Sequence, residues 1–182
     1  MPSQPIIDKL APLTEYLDGL NERASIDSLK HRLTHLDITL KDVSEYVRFG
    51  EKNYSRNLVC EGKWYHLLVI CWRSGQRSPI HNHAGSTCGF RVLTGVATET
   101  RFELSPNKLI KPVSSHDMYT GELSVAQDRE IHQVSNLQTE DTDLVTLHIY
   151  SPALLRMDTY SLTDRIVRDF KPMVLEYAGS GI

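Results

Sequence analysis

The chain has 182 residues, and its 20 Lys+Arg against 23 Asp+Glu give a formal charge of −3 and a pI near 6.2. No basic surplus exists to hold a polyphosphate backbone, so a nucleic-acid partner is excluded from the expectations. Hydrophobic residues at 40%, charged residues at 24%, and only 10 Gly with 8 Pro exclude a disordered or collagen-like chain. A domain of this length buries roughly 70% of the surface its unfolded chain exposes. One domain over 1–182 is therefore expected, with a mainly helical 1–50, a β-barrel over 51–170 and a tail over 171–182. The opening MPSQPIIDKLAPLTEYLDGL has no basic start and no unbroken apolar run, which predicts a cytoplasmic protein without a membrane anchor, a monomer by default. The three cysteines Cys60, Cys71 and Cys88 are odd in number and lack C-x-x-C spacing, against a disulfide framework or a cysteine zinc site.

In chain order, Leu29, Leu33 and Leu36 recur at helical spacing, with Ser25 or Asp27 as the cap. A further helix is predicted after Thr39, whose hydroxyl would accept from an N–H three residues on, ending near Gly50. From about 56 to 162 the texture changes to short runs rich in Val, Ile, Leu, Thr and Tyr. Turn signals separate them at Glu61-Gly62, Ser74-Gly75, Ser105-Pro106-Asn107 and Thr120-Gly121. Without helices between the strands, parallel winding is unfavoured and an antiparallel sandwich or barrel is predicted. A closing strand follows from Arg168, and Ala178-Gly179-Ser180-Gly181 reads as a frayed end.

Three local patterns carry chemistry. His81-Asn82-His83 places two imidazoles on one face of an extended segment, where both can reach one metal ion, although such pairs are also common on surfaces. In the 145–150 segment, Thr146, His148 and Tyr150 share one strand face while Val145, Leu147 and Ile149 share the other. That polar face either meets water or lines a cavity. Tyr54 and Arg56 fall on a common side if extended; Arg56 alone reads as solvated surface unless a carboxylate partner makes it a clamp. The remaining histidines, His31, His35, His66 and His116, read as polar surface or hydrogen-bonded residues, and Cys60 and Cys71 as core packing.

The run from Gly75 through His81, His83 and Cys88 to Gly95 resembles the first cupin motif, G-x5-H-x-H-x3/4-E-x6-G, with Cys88 in place of the glutamate ligand. His132 through Asn136 resembles the H-x3-N end of the second motif, without its preceding P-x-G. Three neutral imidazoles leave the charge of a divalent ion uncompensated and coordination positions open, which suits an anionic, chelating substrate; iron(II), zinc, nickel and copper all accept such a set. Taken with Tyr54-Ser55-Arg56-Asn57-Leu58-Val59, Leu68-Val69-Ile70-Cys71-Trp72, Ser78-Pro79-Ile80-His81-Asn82-His83 and Leu147-His148-Ile149-Tyr150-Ser151-Pro152, residues 54–152 resemble the cysteine dioxygenase family.

That resemblance implies a cupin-type antiparallel barrel or jelly roll with an N-terminal helical segment. It implies a non-haem enzyme of cysteine catabolism that oxidises L-cysteine with O2 to cysteine sulfinic acid. His81, His83 and His132 are then the Fe(II) ligands, and Arg56 grips the substrate carboxylate with Tyr54 nearby. His148 and Tyr150 touch substrate and the oxygen site, and Cys88 is the residue that joins Tyr150 through a thioether bond in members that have it. Thr146 stands where animal members have serine, and Met157 where they have a cysteine. A cis Ser151–Pro152 peptide is also implied. The rival readings are a dioxygenase of 3-mercaptopropionate, where the family tends to show glutamine at position 56, and a non-catalytic cupin that binds a metal or a small acid.

Overall fold

The computed structural model describes residues 8–176, so the frayed end expected at 178–181 lies outside the described residues. A 3₁₀ turn at Asp8–Leu10 leads into helix α1 (Ala11–Asp18), and α2 (Ile26–His35) follows, its first turn capped by the Ser25 side chain accepting from the Ser28 N–H. The segment after Thr39 departs from the expected helix. It is a 3₁₀ segment, Leu40–Tyr46, that stops at Val47; Thr39 caps it in a reciprocal box with Asp42, whose carboxylate accepts from the Thr39 N–H and hydroxyl. The reason lies in spacing. Leu40, Val43 and Tyr46 are three residues apart and all reach the same core, and the backbone kinks at Val43 between them.

Eleven strands follow among the described residues: β1 (Ser55–Gly62), β2 (Tyr65–Trp72), β3 (Ile80–His81), β4 (Thr87–Thr94), β5 (Ala97–Leu104), β6 (Ile110–Met118), β7 (Leu123–Gln127), β8 (Ile131–Ser135), β9 (Leu144–Ser151), β10 (Met157–Tyr160) and β11 (Arg168–Phe170). They form a five-stranded sheet in the order β1-β2-β9-β4-β7 and a six-stranded sheet in the order β11-β10-β3-β8-β5-β6, with every strand pair antiparallel. All four predicted turn signals fall at or beside turns, and Gly75 and Gly121 adopt φ of 81° and 93°, which favours glycine. The Ser151–Pro152 peptide is cis.

Alternation sorts the strands' side chains into two cores. On the outer face of the five-stranded sheet, Leu67, Val69 and Cys71 of β2 join Val145, Leu147 and Ile149 of β9 beneath Leu13, Leu17, Leu29 and Leu33 of the helices. On the inner face, Leu68, Ile70, Trp72, Phe90 and Val92 meet Ala97, Met118, Val134 and Met157 of the facing sheet. Full burial of a leucine or isoleucine contributes about 1.5–3 kcal/mol, so the helices are held chiefly by their apolar stripe. Polar clasps fix their position. The Arg91 guanidinium donates to the Leu33 and Leu36 carbonyls at the end of α2, and Thr87 and Ser151 side chains bind the backbone of Ala24. At the free edge of β1, Leu175 exchanges backbone hydrogen bonds with Arg56 and Leu58, at 2.8 and 3.0 Å.

Candidate metal centre

His81 closes the two-residue strand β3, where it pairs with His132 of β8 on one side and Thr159 of β10 on the other. The chain then bends, and Asn82 holds the bend: its amide N–H donates to Asp158 and to the Tyr160 hydroxyl, while its side-chain oxygen accepts from the backbone of Ala84 and Asp158. His83 therefore lies just past the strand. Its backbone N–H donates to the Asp128 carbonyl at 3.0 Å.

One ring nitrogen from each of His81, His83 and His132 lies within 4.8 Å of the others, and all three residues are buried. Metal–imidazole bonds are about 2.0–2.1 Å, so small rotations would bring the three nitrogens onto one ion. The Nδ1 of His81 lies 2.9 Å from the Pro79 carbonyl and that of His132 lies 2.7 Å from Glu99, leaving both Nε2 atoms free as donors. Both ring nitrogens of His83 are buried without a hydrogen-bond partner. Such an orphan is costly unless something else binds it. Burial, followed by the charge of neighbouring His132, lowers the His81 pKa to about 3 and holds His83 well below its usual value. Neutral imidazoles at His81 and His83 suit a ligand set for a cation.

Arg56 and Tyr54 reach the same cavity from β1 and the residue just before it. Arg56 is only 4% exposed, and its Nε and Nη2 are buried without partners. A guanidinium so placed calls for an anion. Its carbon lies 5.0 Å from the centre of the Tyr150 ring, and Tyr54 stacks on Trp72 at 4.4 Å between centroids. The alternation in β9 resolves in favour of a cavity, because all eight of its residues are buried.

Along that inner face, polar groups form a chain. The Trp72 indole N–H donates to Thr146 Oγ1 at 3.0 Å; Thr146 Oγ1 lies 2.9 Å from His148 Nε2, and His148 Nδ1 lies 3.3 Å from the Tyr150 hydroxyl. An indole N–H can only donate, so Thr146 accepts from it and spends its own proton on His148 Nε2, its nearer acceptor; the Ile70 carbonyl is 3.4 Å away. His148 then carries its proton on Nδ1 and donates to Tyr150. The phenol proton is thereby free to point into the site. Burial, with Arg56 next, lowers the His148 pKa well below its usual value, and burial first, then the Cys88 charge, raises that of Tyr150. Cys88 faces Tyr150 directly in the β4–β9 register, and burial pushes its thiol up to about 12.

Tyr54, Arg56, His81, Cys88, His132, His148 and Tyr150 thus line one small cavity, and His83 clusters with His81 and His132. Met157 also lines the wall. A wider pocket of about 480 Å³, bordered by Arg77, Pro79, Phe170 and Met173, shares Tyr54, Arg56 and Ser78 with the cavity. Two contributors were not foreseen: Trp72, which looks like core in an apolar run, and Glu99 on β5, whose only signal is that it shares a strand face with the fully buried Ala97. His31, His35 and His116 lie away from the site, while His66, half-buried, pairs with Glu61 at 2.9 Å.

The chain matches the model of the family described as cysteine dioxygenase type I over residues 7–163. Cysteine dioxygenase type 1 of Danio rerio is 27% identical over 145 residues, covering 77% of this chain and 72% of the relative. That of Bos taurus is 32% identical over 149 residues, covering 79% and 74%. For the Homo sapiens protein the match is 32% over 111 residues, 59% of this chain and 55% of the relative, so it spans little more than half of that protein's length. Among solved structures, a Thermus thermophilus protein aligns with TM-score 0.52 at 17% identity, covering 64% of this chain and 99% of its own. A Klebsiella pneumoniae protein with a double-stranded β-helix domain aligns with TM-score 0.51 at 18% identity, covering 65% and 94%. These likenesses establish the fold, the cupin-type double-stranded β-helix.

Proposed function

The chain belongs to the cysteine dioxygenase type I family, and from that premise we propose that it is a non-haem Fe(II) dioxygenase converting L-cysteine and O2 to cysteine sulfinic acid. The observation that carries this reading is the close juxtaposition of three buried imidazoles and a buried guanidinium whose Nε and Nη2 have no partner. His81, His83 and His132 would hold the iron, which when bound supplies the Lewis-acid and redox chemistry for joining a thiol to dioxygen. The reaction balances as one thiol plus one O2 giving one sulfinic acid, with both oxygen atoms on sulfur.

The protein's own groups do the rest. Arg56 offers two unused N–H groups in a fixed fork, which matches a carboxylate in bidentate fashion, and the Tyr54 stack on Trp72 walls that corner. Tyr150 keeps its proton and holds it toward the reacting groups, while His148 fixes the phenol by donating to its oxygen. Phe90, stacked on His148 at 4.9 Å, prevents that ring from turning. The apolar walls exclude water, which strengthens each of these contacts. Cys88 lies against Tyr150 as a thioether bond requires, a bond whose formation removes the thiol hydrogen and one ring hydrogen, with dioxygen as the oxidant.

The test is anaerobic loading with Fe(II), followed by cysteine, 3-mercaptopropionate and cysteamine offered separately under oxygen, with sulfinate measured. Cysteine should be converted best and cysteamine worst, since cysteamine has no carboxylate for Arg56. Equal turnover of cysteamine would remove the role given to Arg56; no sulfinate from any thiol would refute the reading.

A further inference from the structure

Position 88 carries a thiol where the motif spacing expects a carboxylate, so the three ligand histidines bring no negative charge of their own. A carboxylate is nevertheless present one layer out. Glu99 on β5 lies 2.7 Å from Nδ1 of His132, and both side chains are 5% exposed. The β5–β8 register puts them close: His132 pairs with Arg101, two residues along the same strand face from Glu99. Ser124 of β7 donates to the carboxylate, 3.1 and 3.0 Å from its two oxygens, and Arg101 Nη2 lies 3.6 Å away. Glu99 is therefore held from two sides while it accepts from the imidazole.

Resting on the metal-centre reading above, we infer that Glu99 is the positioning residue of this site: its carboxylate fixes the Nδ1–H tautomer of His132, aims Nε2 at the ion and returns one negative charge to an otherwise neutral ligand set. A buried carboxylate accepting from an imidazole N–H leaves the opposite nitrogen as the only lone pair and makes it a stronger donor. Placing that charge outside the ligand set has a further consequence. It does not occupy a coordination position, so the side needed by substrate and oxygen stays open. His81 receives no such help, because its Nδ1 meets only the neutral Pro79 carbonyl. His132 is then the strongest donor of the three with a defined partner.

Two readouts test this without turnover. In the ¹⁵N-labelled, metal-free protein, long-range ¹H–¹⁵N correlations near neutral pH should show His132 protonated at Nδ1 and bare at Nε2. Protonation at Nε2 would overturn the inference, and this measurement stands even if no variant folds. Glu99→Gln keeps the shape, loses the charge and can present either an acceptor or a donor to Nδ1. Its dissociation constant for Co(II), used as an air-stable probe, should rise roughly ten- to a hundredfold, while a merely structural role would lower the thermal midpoint and leave Co(II) affinity unchanged. Tight wild-type binding that Glu99→Gln matches within about twofold would overturn this inference alone. A wild-type chain that takes up no divalent ion would overturn the metal reading and this inference with it.

Discussion

Arg56 shows how a residue's meaning depends on its surroundings. In the sequence it is one of 20 Lys and Arg; in the fold it is a buried fork without an anion. Arg56→Lys keeps the charge and loses the fork, and a charge-assisted hydrogen bond contributes about 1.5–3 kcal/mol, so kcat/KM for cysteine should fall roughly ten- to a hundredfold with metal content unchanged. Steady-state kinetics beside a metal assay checks this, and unaltered kcat/KM would contradict it. For Cys88, the intact mass after turnover should be lighter than calculated by a pair of hydrogens, a deficit absent in Cys88→Ser; an unmodified wild-type mass would reject the crosslink. His81 and His83 were legible because their spacing is itself a signal, and His132 because a second motif follows in order. Glu99 was not, since a lone glutamate in a strand looks like solvated surface, and its partner is set by a cross-strand register that no local pattern encodes.

At the scale of elements, the strands and turns were legible because alternation and glycine placement are local physics. Which strand face would be covered was not. The polar side of β9 could equally have met water, and only the second sheet closing over it turns Thr146, His148 and Tyr150 into a cavity wall. The 3₁₀ segment escaped for a related reason, because its geometry answers to the core beneath Val43 and Tyr46 rather than to propensity. Thr146 is the joint of the β9 relay, so Thr146→Val, similar in volume, strands the Trp72 donor and the His148 acceptor in a buried place. Denaturant unfolding should show a loss of about 1–3 kcal/mol, and stability equal to wild type would mean that the hydroxyl is not the shared partner.

For the whole molecule, the helices and the second sheet bury the two faces of one five-stranded sheet, and the site occupies the inner of the two cores. Among the described residues no helix is long and apolar enough to cross a membrane. Concentrating histidines in that interior has a global cost in acid. Burial lowers His81 to about 3 and depresses His83 and His148, whereas unfolded histidines titrate near 6.5. Between those values the unfolded chain binds protons that the folded chain refuses, so stability is full above about pH 6.5 and falls steadily as pH drops toward 3. Thermal melts of the metal-free protein should be level from about pH 8 to 7 and decline from about 6.5 to 5; a level profile down to 5 would contradict neutral buried imidazoles.

On the proposed reaction, this interior delivers a whole dioxygen molecule to one thiol sulfur. Turnover of cysteine by the Fe(II)-loaded protein under ¹⁸O₂, with the product read by mass spectrometry, tests it most directly. The cysteine sulfinate formed should carry two ¹⁸O atoms, both from the same O2; sulfinate with one labelled oxygen, or cystine as the sole product, would refute the proposed dioxygenation.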